Sequence, residues 1–355
     1  MANDNKIHEP FMHRCLQLAL LGQGYVAPNP MVGAVLVNEG KIIGEGYHRQ
    51  IGGHHAEVEA IISVEDKSLL PASTLYVSLE PCNHFGKTPP CTHLILEQKI
   101  PKVVYGMRDN SSKEGMKGEE YLREKGVDVT GGILVNECEA LNKRFFTFHS
   151  KKRPYIILKW AQTADGFMAP PPAKSAEEGH PHWISNMYSR KLVHKWRTEE
   201  HAIIVGTTTA MLDNPQLTAR DWKGPSPLRI VIDRELRLPR QLNLFDASAP
   251  TLVFTAKEAP QSSNPEYISI EEKESFLKEV LNELHSREVL SLIVEGGKTL
   301  LEMFIEQNAW DEARVFIAPS FMYNGIKAPS PVAPAQLIYE IAGDRLYYFM
   351  NGKTA

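Results

Sequence analysis

Apolar positions in the first third of the chain switch repeatedly between a helical and a strand period, and each switch marks an element. Residues 11 to 22 carry apolar side chains at helical spacing and predict a helix. Gly33 to Val37, the turn Asn38-Glu39-Gly40 and Lys41 to Gly46 predict a β-hairpin. His55 to Val64 predicts a helix, Thr74 to Leu79 a strand, Cys91 to Gln98 a helix and Lys102 to Gly106 a strand. Lys117 to Lys125 and Val127 to Thr130 complete the series as helix and strand. A hairpin followed by α/β alternation predicts a three-layer α/β domain.

The basic stretch Lys151-Lys152-Arg153-Pro154 interrupts this pattern and places expected domains at residues 1–150 and 151–355. Beyond it, Tyr155 to Lys159, Ala202 to Val205, Leu228 to Ile232, Thr251 to Phe254 and Leu290 to Val294 are apolar, β-branched runs. Residues 186 to 200, 271 to 285 and 298 to 306 have helical spacing. The strands read as continuously apolar, so a second α/β domain with a mostly buried sheet is expected. Pro170 to Gly179 is loop by composition.

Composition agrees with two domains, because 355 residues exceed what one ordinary core supports. Hydrophobic residues at 43% and charged residues at 23% give the balance of a soluble globular protein. No uncharged apolar run reaches the roughly 18 residues of a membrane span, and Met1 to Pro10 is polar, so a cytoplasmic protein without membrane contact is expected. A net charge of -4 and a pI near 6.4 argue against nucleic-acid binding and leave a small anionic substrate open. Four cysteines are too few for a disulfide scaffold. Cys15 and Cys138 read as packing residues, whereas Cys82 and Cys91 stand close together amid Pro, His and Gly.

The strongest chemical signal is His55-Ala56-Glu57 opening a predicted helix, with Glu80-Pro81-Cys82 after a strand and Thr88-Pro89-Pro90-Cys91 opening another helix. Three N/S ligands, His55, Cys82 and Cys91, suit a catalytic zinc, which keeps its fourth position for a water whose pKa falls to about 7. Both cysteines are expected near helix N-termini, where the dipole and free N–H groups favour thiolate. Glu57, two residues past His55, would sit beside that water and act as general acid/base. His54, His84 and His93 leave open a structural site closed by a fourth protein ligand.

These residues resemble the cytidine-deaminase superfamily and, within it, the riboflavin-biosynthesis deaminase. The resemblance rests on Pro28-Asn29-Pro30-Met31-Val32-Gly33, Gly44-Glu45-Gly46-Tyr47-His48, His55-Ala56-Glu57 and the run from Glu80 to Cys91. The general signature has two residues between its cysteines; this chain has eight, the riboflavin-type variant. The resemblance implies that Asn29 contacts the base or ribose and that His84 to Thr88, including Lys87, lines the site near the substrate phosphate. Lys87 stands where the family commonly has Arg, which keeps the charge and loses bidentate geometry. His54 replaces a more usual Pro, and Asp109-Asn110-Ser111 departs from the family's Asp-Pro-Asn-Pro.

In the second half, Lys159-Trp160-Ala161-Gln162-Thr163-Ala164-Asp165-Gly166 ends a strand in an Asp-Gly turn. Val294-Glu295-Gly296-Gly297-Lys298-Thr299-Leu300 feeds a strand through two glycines into a helix, exposing N–H groups to which a cofactor phosphate could come close. With Gly206-Thr207-Thr208-Thr209 and Asp213 to Arg220, these segments resemble the reductase half of the same bifunctional family, a dihydrofolate-reductase-like fold. The resemblance implies that Ala161, Trp183, Thr209, Asp213, Gly296, Gly297, Lys298 and Thr299 contact NADPH. It implies that Arg197, Leu217, Arg220 and Glu295 face a ribosyl phosphate substrate, where arginines suit the phosphate; an ordinary surface ion pair is the alternative for each. The Pro-rich loop at 170–182 is longer than usual for the family, and the match is thin over 235–290 and past Pro319.

The expected activity is therefore zinc-dependent deamination of a diamino pyrimidine ribosylamino phosphate, followed by NADPH-dependent reduction of its ribosyl group to ribityl. The expected partner is this small pyrimidine nucleotide, and a homo-oligomer is expected. A deaminase acting on another nucleoside or on nucleic acid, with an unrelated second domain, is one rival. A zinc-stabilised binding module, with four protein ligands and no need for Glu57, is the other.

Overall fold

In a computed structural model, which describes residues 5–85, 89–109, 117–171, 183–271, 275–330 and 334–352, the first helix α1 spans Glu9–Leu20. It buries Met12, Cys15, Leu18 and Ala19, one face at helical spacing. The predicted hairpin follows as β1 (Gly33–Asn38) and β2 (Lys41–Tyr47), closed by Glu39 and Gly40, both in the left-handed region at φ 48 and 74. Two left-handed turn residues match the twist of paired strands. Next come α2 (Ala56–Ser63), β3 (Thr74–Leu79), α3 (Cys91–Glu97), β4 (Lys102–Met107), α4 (Gly118–Glu124) and β5 (Asp128–Gly131). The sheet runs β2-β1-β3-β4-β5, with β1 antiparallel to both neighbours and β3, β4 and β5 parallel.

Strand side chains alternate between the two faces of this sheet. Ala34, Leu36, Leu75, Val77 and Val103 pack with Ala56, Ala60, Ile95 and Leu122 of α2, α3 and α4. Val35, Val37, Tyr76 and Val104 pack on the other face with Met12 and Cys15 of α1 and with Cys138. The expected three layers result. Cys15 and Cys138 are buried packing residues, as their apolar surroundings imply. Two glycines allow the layers to close: a Cβ at Gly33 would lie 2.0 Å from the Cys15 carbonyl oxygen, and one at Gly46 would lie 2.3 Å from the Ala60 nitrogen. Two helices without a predicted counterpart, α5 (Val135–Leu141) and α6 (Lys143–Lys151), complete the unit Met1–Lys151.

The second unit, Lys152–Ala355, opens with β6 (Tyr155–Thr163) and β7 (Phe167–Ala169), followed by α7 (Met187–Glu199), β8 (Ala202–Gly206), α8 (Thr207–Asp213) and β9 (Leu228–Ile232). It continues with β10 (Thr251–Thr255), β11 (Glu266–Ser269), α9 (Phe276–Ser286), β12 (Ser291–Glu295) and α10 (Lys298–Glu306). It ends with β13 (Glu312–Ala318), β14 (Ile326–Lys327), β15 (Ala335–Ile341) and β16 (Asp344–Met350). Strands in the order β11-β10-β9-β8-β12-β6-β13 are parallel, and the antiparallel pair β16-β15 extends that edge. Leu158, Ile204, Ile230 and Val294 pack under α9 and α10 on one face, while Ile203, Val205, Val231 and Ile293 pack under Val193 and Trp196 of α7 on the other.

The strand order fixes where a ligand can bind. From β6 the chain moves outward through β8 to β11, then returns to insert β12 between β8 and β6. The carboxyl ends of β8, β12 and β6 therefore lie side by side at a reversal of strand order, where doubly wound sheets open a crevice. Gly206, Glu295 and the end of β6 occupy those ends.

Candidate functional site

Two separate clusters of chemistry-bearing side chains form, one in each unit. In the first, His55 is the N-cap of α2 and Cys91 is the first residue of α3, preceded by Pro90. Cys82 lies in irregular chain after β3, as its place in the sequence implies. The helix reaches it, because the Cys91 N–H donates to Cys82 Sγ at 3.4 Å. That N–H is a first-turn donor of α3, so the thiolate-favouring effect acts on Cys82. Cys82 is held down at about 4, chiefly by hydrogen bonding with Cys91.

His55 Nδ1 lies 3.5 Å from Cys82 Sγ and 3.3 Å from Cys91 Sγ, and the three ligand atoms fall within 4.8 Å of one another. Zinc–nitrogen bonds of about 2.0 Å and zinc–sulfur bonds of about 2.3 Å fit between atoms so spaced. This is the one group of three or more His, Cys, Asp or Glu with metal-binding spacing among the described residues. Neither His54, whose Nδ1 meets Glu59 Oε1 at 3.2 Å, nor His93, stacked on Tyr121, joins it.

Glu57, in the first turn of α2, is 4% exposed, and burial pushes its carboxyl up to about 7. A carboxyl group titrating near neutrality can both accept and return a proton. Asn29 is oriented by His48. The His48 Nδ1 faces the His54 carbonyl oxygen at 2.8 Å and must donate, so Nε2 accepts from Asn29 Nδ2 at 3.0 Å. The Asn29 amide oxygen is thereby turned away from His48. Lys87 lies outside the described residues.

Glu80, quoted in the motif without a role, is buried, and its carboxylate accepts the Asp109 N–H at 3.1 Å and the Glu119 N–H at 2.9 Å. It fixes the chain that leads from β3 to Cys82. No local pattern could have shown this, since its partners lie 29 and 39 residues away.

In the second unit, Lys159 of β6 and Glu295 of β12 are register partners on adjacent strands, and Arg197 of α7 reaches the same carboxylate. Arg197 donates from one Nη to Glu295 Oε2 at 3.0 Å and from the other to the Thr218 carbonyl oxygen at 3.1 Å. The ion pair of Arg197 with Glu295 is a buried one, Arg197 being 8% exposed. Lys159 and Arg197 hold the Glu295 carboxyl far below the usual range despite its burial. Lys159 is the residue that sequence reasoning missed as part of the site.

Thr209 of α8 meets the glycine pair, its Oγ1 accepting the Gly297 N–H at 2.9 Å. A Cβ at Gly296 would lie 3.2 Å from Leu300 Cδ2 and 3.7 Å from the Gly206 nitrogen, so the ends of β8 and β12 converge there. Lys298 and Thr299 begin α10, with Lys298 paired to Glu302 at 3.5 Å. Ala161 lies on β6, half-buried. This crevice, with backbone donors and hydroxyls at its glycine end, fits a dinucleotide phosphate. Asp213 and Arg220 are exposed, and Arg220 reaches Gln216 Oε1 at 3.5 Å. Leu217 has its side chain in the core at 2% exposure, so its backbone is what it can offer a ligand. Trp183 is 58% exposed under the Arg190 guanidinium, 4.7 Å from the ring centroid, and is not brought to the glycine pair by any contact.

Comparison with known proteins covers both halves. Residues 5–107 match the cytidine and deoxycytidylate deaminase zinc-binding region, and residues 154–335 match the RibD C-terminal domain. The chain is 40% identical to the riboflavin biosynthesis protein RibD of Aquifex aeolicus over 326 residues, covering 90% of this chain and 89% of that protein. It is 32% identical to the Escherichia coli protein of the same name, covering 88% of each. A crystal structure of the Thermotoga maritima diaminohydroxyphosphoribosylaminopyrimidine deaminase/5-amino-6-(5-phosphoribosylamino)uracil reductase superposes with a TM-score of 0.87 at 35% identity, over 98% of this chain and 99% of that one.

Proposed function

The chain belongs to the RibD family, whose members join a zinc-dependent deaminase to an NADPH-dependent reductase of riboflavin biosynthesis, and from that premise we propose how its residues divide the work. It is a bifunctional enzyme with a cytidine-deaminase-like first half and a dihydrofolate-reductase-like second half. The rival in which an unrelated domain follows the deaminase is excluded by the match over residues 154–335.

Residues 1–150 deaminate 2,5-diamino-6-ribosylamino-4(3H)-pyrimidinone 5′-phosphate, and residues 151–355 reduce the ribosyl group of the product to ribityl. The observation that carries the first assignment is the convergence of His55, Cys82 and Cys91 beside a buried Glu57. These three ligands would hold zinc, which when bound would supply the positive charge that lowers the pKa of a water. Glu57 takes a proton from that water as its oxygen adds to the ring carbon, and returns it to the amine, which leaves as ammonia. Asn29, fixed by His48, presents its amide oxygen to the pyrimidine or ribose, and Lys87 meets the phosphate.

In the second half bound NADPH would supply a hydride to the ribosyl carbon attached to the amino nitrogen, while the ring oxygen released from that carbon would take up a proton. Ala161, Thr209, Asp213, Trp183 and Gly296 to Thr299 hold the cofactor, while Arg197, Arg220, Glu295 and the backbone at Leu217 hold the nucleotide. Lys159 keeps Glu295 ionised at that crevice.

A homo-oligomeric, cytoplasmic enzyme agrees with two further features. The edge strand β15 exposes Leu337, Ile338 and Tyr339, more apolar surface than an edge strand usually leaves uncovered. Among the described residues no helix is long and apolar enough to cross a membrane. The net charge of -4 supports a small substrate rather than nucleic acid.

Incubation of the pure protein with the diamino nucleotide tests the whole reading. Ammonia should appear without NADPH, and NADPH should be consumed only after deamination or with the already deaminated nucleotide. Ammonia release from cytidine or single-stranded DNA instead would replace the assignment.

A further inference from the structure

The loop Asn214–Arg220 carries Leu217 and Arg220, and its conformation does not follow from its own sequence. Asn214 (φ 40) and Leu217 (φ 56) both occupy the left-handed region, which a leucine adopts only under constraint. Leu217 points into the core while Arg220 stays exposed. Something outside the loop has to hold it.

The constraint comes from the segment between β9 and β10. Asn243, at the start of a 3₁₀ turn (Asn243–Phe245), makes a reciprocal pair with Asn214. Its backbone N–H donates to Asn214 Oδ1 at 2.7 Å, and its Nδ2 donates to the Asn214 carbonyl oxygen at 2.8 Å. Behind the pair lies Arg229 of β9, fully buried. Its guanidinium donates to the Asn243 carbonyl oxygen at 3.1 Å, to the Gln216 carbonyl oxygen at 3.4 Å and to Asp246 Oδ1 at 2.7 Å. A buried arginine with its donors spent on carbonyl oxygens is costly to disturb, so the segment it gathers forms a rigid backing.

We propose that Asn243 and Arg229 are positioning residues of the reductase, clamping the loop Asn214–Arg220 from the side opposite the ligand so that Arg220 and the Leu217 backbone face the nucleotide phosphate. This rests on the reading that the loop binds substrate. Arg197 ties the same loop at Thr218. Without the outer ties of Asn243 and Arg229, the stretch from Asn214 to Gln216 is freed, while Leu217 stays in the core and Thr218 and Ala219 keep their bonds to Arg197 and Ser226. The left-handed Asn214 then relaxes, and the substrate has to reorder that stretch on binding. Binding weakens more than the chemical step.

Asn243 makes a clean probe because its side chain is exposed and its removal leaves the Arg229 cluster whole. Asn243→Ala should raise KM for the deaminated ribosylamino nucleotide roughly 3- to 10-fold, the range of one lost hydrogen bond, with kcat changed less than about 2-fold. Asn243→Asp, the same shape with an acceptor facing the Asn214 carbonyl, should raise KM further. Asn214→Gly, which keeps the left-handed backbone and deletes the side-chain acceptor, should act like Asn243→Ala. Deamination and zinc content should be unchanged in all three. A thermal shift with unaltered KM in these variants would show a purely structural tie and overturn the proposal, as would an Asn243→Asp enzyme identical to wild type. Arg220→Ala serves as the control: if it too leaves KM unaltered, the substrate-loop reading itself fails, and if it raises KM while the Asn243 and Asn214 variants do not, only the clamp fails.

Discussion

Lys159 Nζ donates to Glu295 Oε1 at 2.8 Å across adjacent parallel strands, while Arg197 takes the other carboxylate oxygen. Two cations on one partly buried carboxylate leave no slack if the anion is removed. Glu295→Gln is expected to destabilise the reductase half by about 3 kcal/mol, because it leaves two poorly hydrated cations without a counter-ion. It should also abolish reduction. Denaturant unfolding of that half checks the first effect and NADPH oxidation the second; unchanged stability would mean that the cations are hydrated where they stand. Acid has the same target. Because the folded carboxyl group titrates below its ordinary value near 4.5, the stabilisation is complete above that pH and is lost as the pH falls toward the folded value.

The zinc site predicts one metal per chain. Cys82→Ala, Cys91→Ala and His55→Ala should each lose zinc and deaminase activity, while His54→Ala, His84→Ala and His93→Ala should retain the metal. Metal analysis of the purified variants decides the ligand set. Zinc loss in any of the second group would restore the closed, four-ligand alternative.

Glu57→Gln removes the proton carrier and leaves the three ligands. Deamination should fall by at least about 100-fold, with zinc content and fold kept. Because the reductase residues all lie beyond Pro154, the same variant should still oxidise NADPH with the deaminated nucleotide. The converse variant, Arg220→Ala, should weaken reduction by about 1.5 to 3 kcal/mol and leave ammonia release intact. Loss of both activities in either variant, with the fold preserved, would require a shared site.

His194 provides a pH test. Burial first, then the nearby Arg197, pushes its imidazole down to about 4, with Asp221 offsetting part of the shift. Above about 6.5 neither folded nor unfolded chain carries the charge. As the pH falls from 6.5 to 4 only the unfolded chain takes up the proton, so the folded state loses stability across that window and no further below it. The melting temperature of the reductase half should therefore decline between pH 6.5 and 4 in the wild type and decline less in His194→Gln. Parallel curves would place the sensitivity elsewhere.

The sequence was most informative where one residue type sufficed for a role. The hairpin at Gly33 to Tyr47 and the helices at His55 and Cys91 follow from turn chemistry and apolar spacing, and the candidate zinc ligands stand out because the chain has four thiols and two of them lie close together downstream of a His-x-Glu. The helices at Val135 and Lys143 escaped because each offers few apolar positions, Cys138 in one and Phe145 and Phe148 in the other, and their burial depends on the sheet they cover. Lys159 escaped for a related reason. A lysine in a strand reads as an edge or a solvated end, and its meaning depends on Glu295, 136 residues away. Cys82 follows the strand β3 and receives its helical N–H from Cys91, the first residue of the next helix, a pairing that the spacing of the two cysteines alone does not specify.

Gly33 and Gly46 carry a lesson for genetics. A library of single substitutions scored by riboflavin prototrophy should show both positions as intolerant as Cys82, since even alanine at either would drive a methyl group into the backbone of a neighbouring helix. Yet neither glycine has a side chain with which to bind or to move a proton. In such a library, the loss of every substitution at a site would thus report on the spacing between layers as readily as on chemistry. Chemical complementation would tell the two apart: added zinc could restore growth to a weakened ligand variant, and no supplement short of the vitamin itself would restore it to a chain whose layers cannot close.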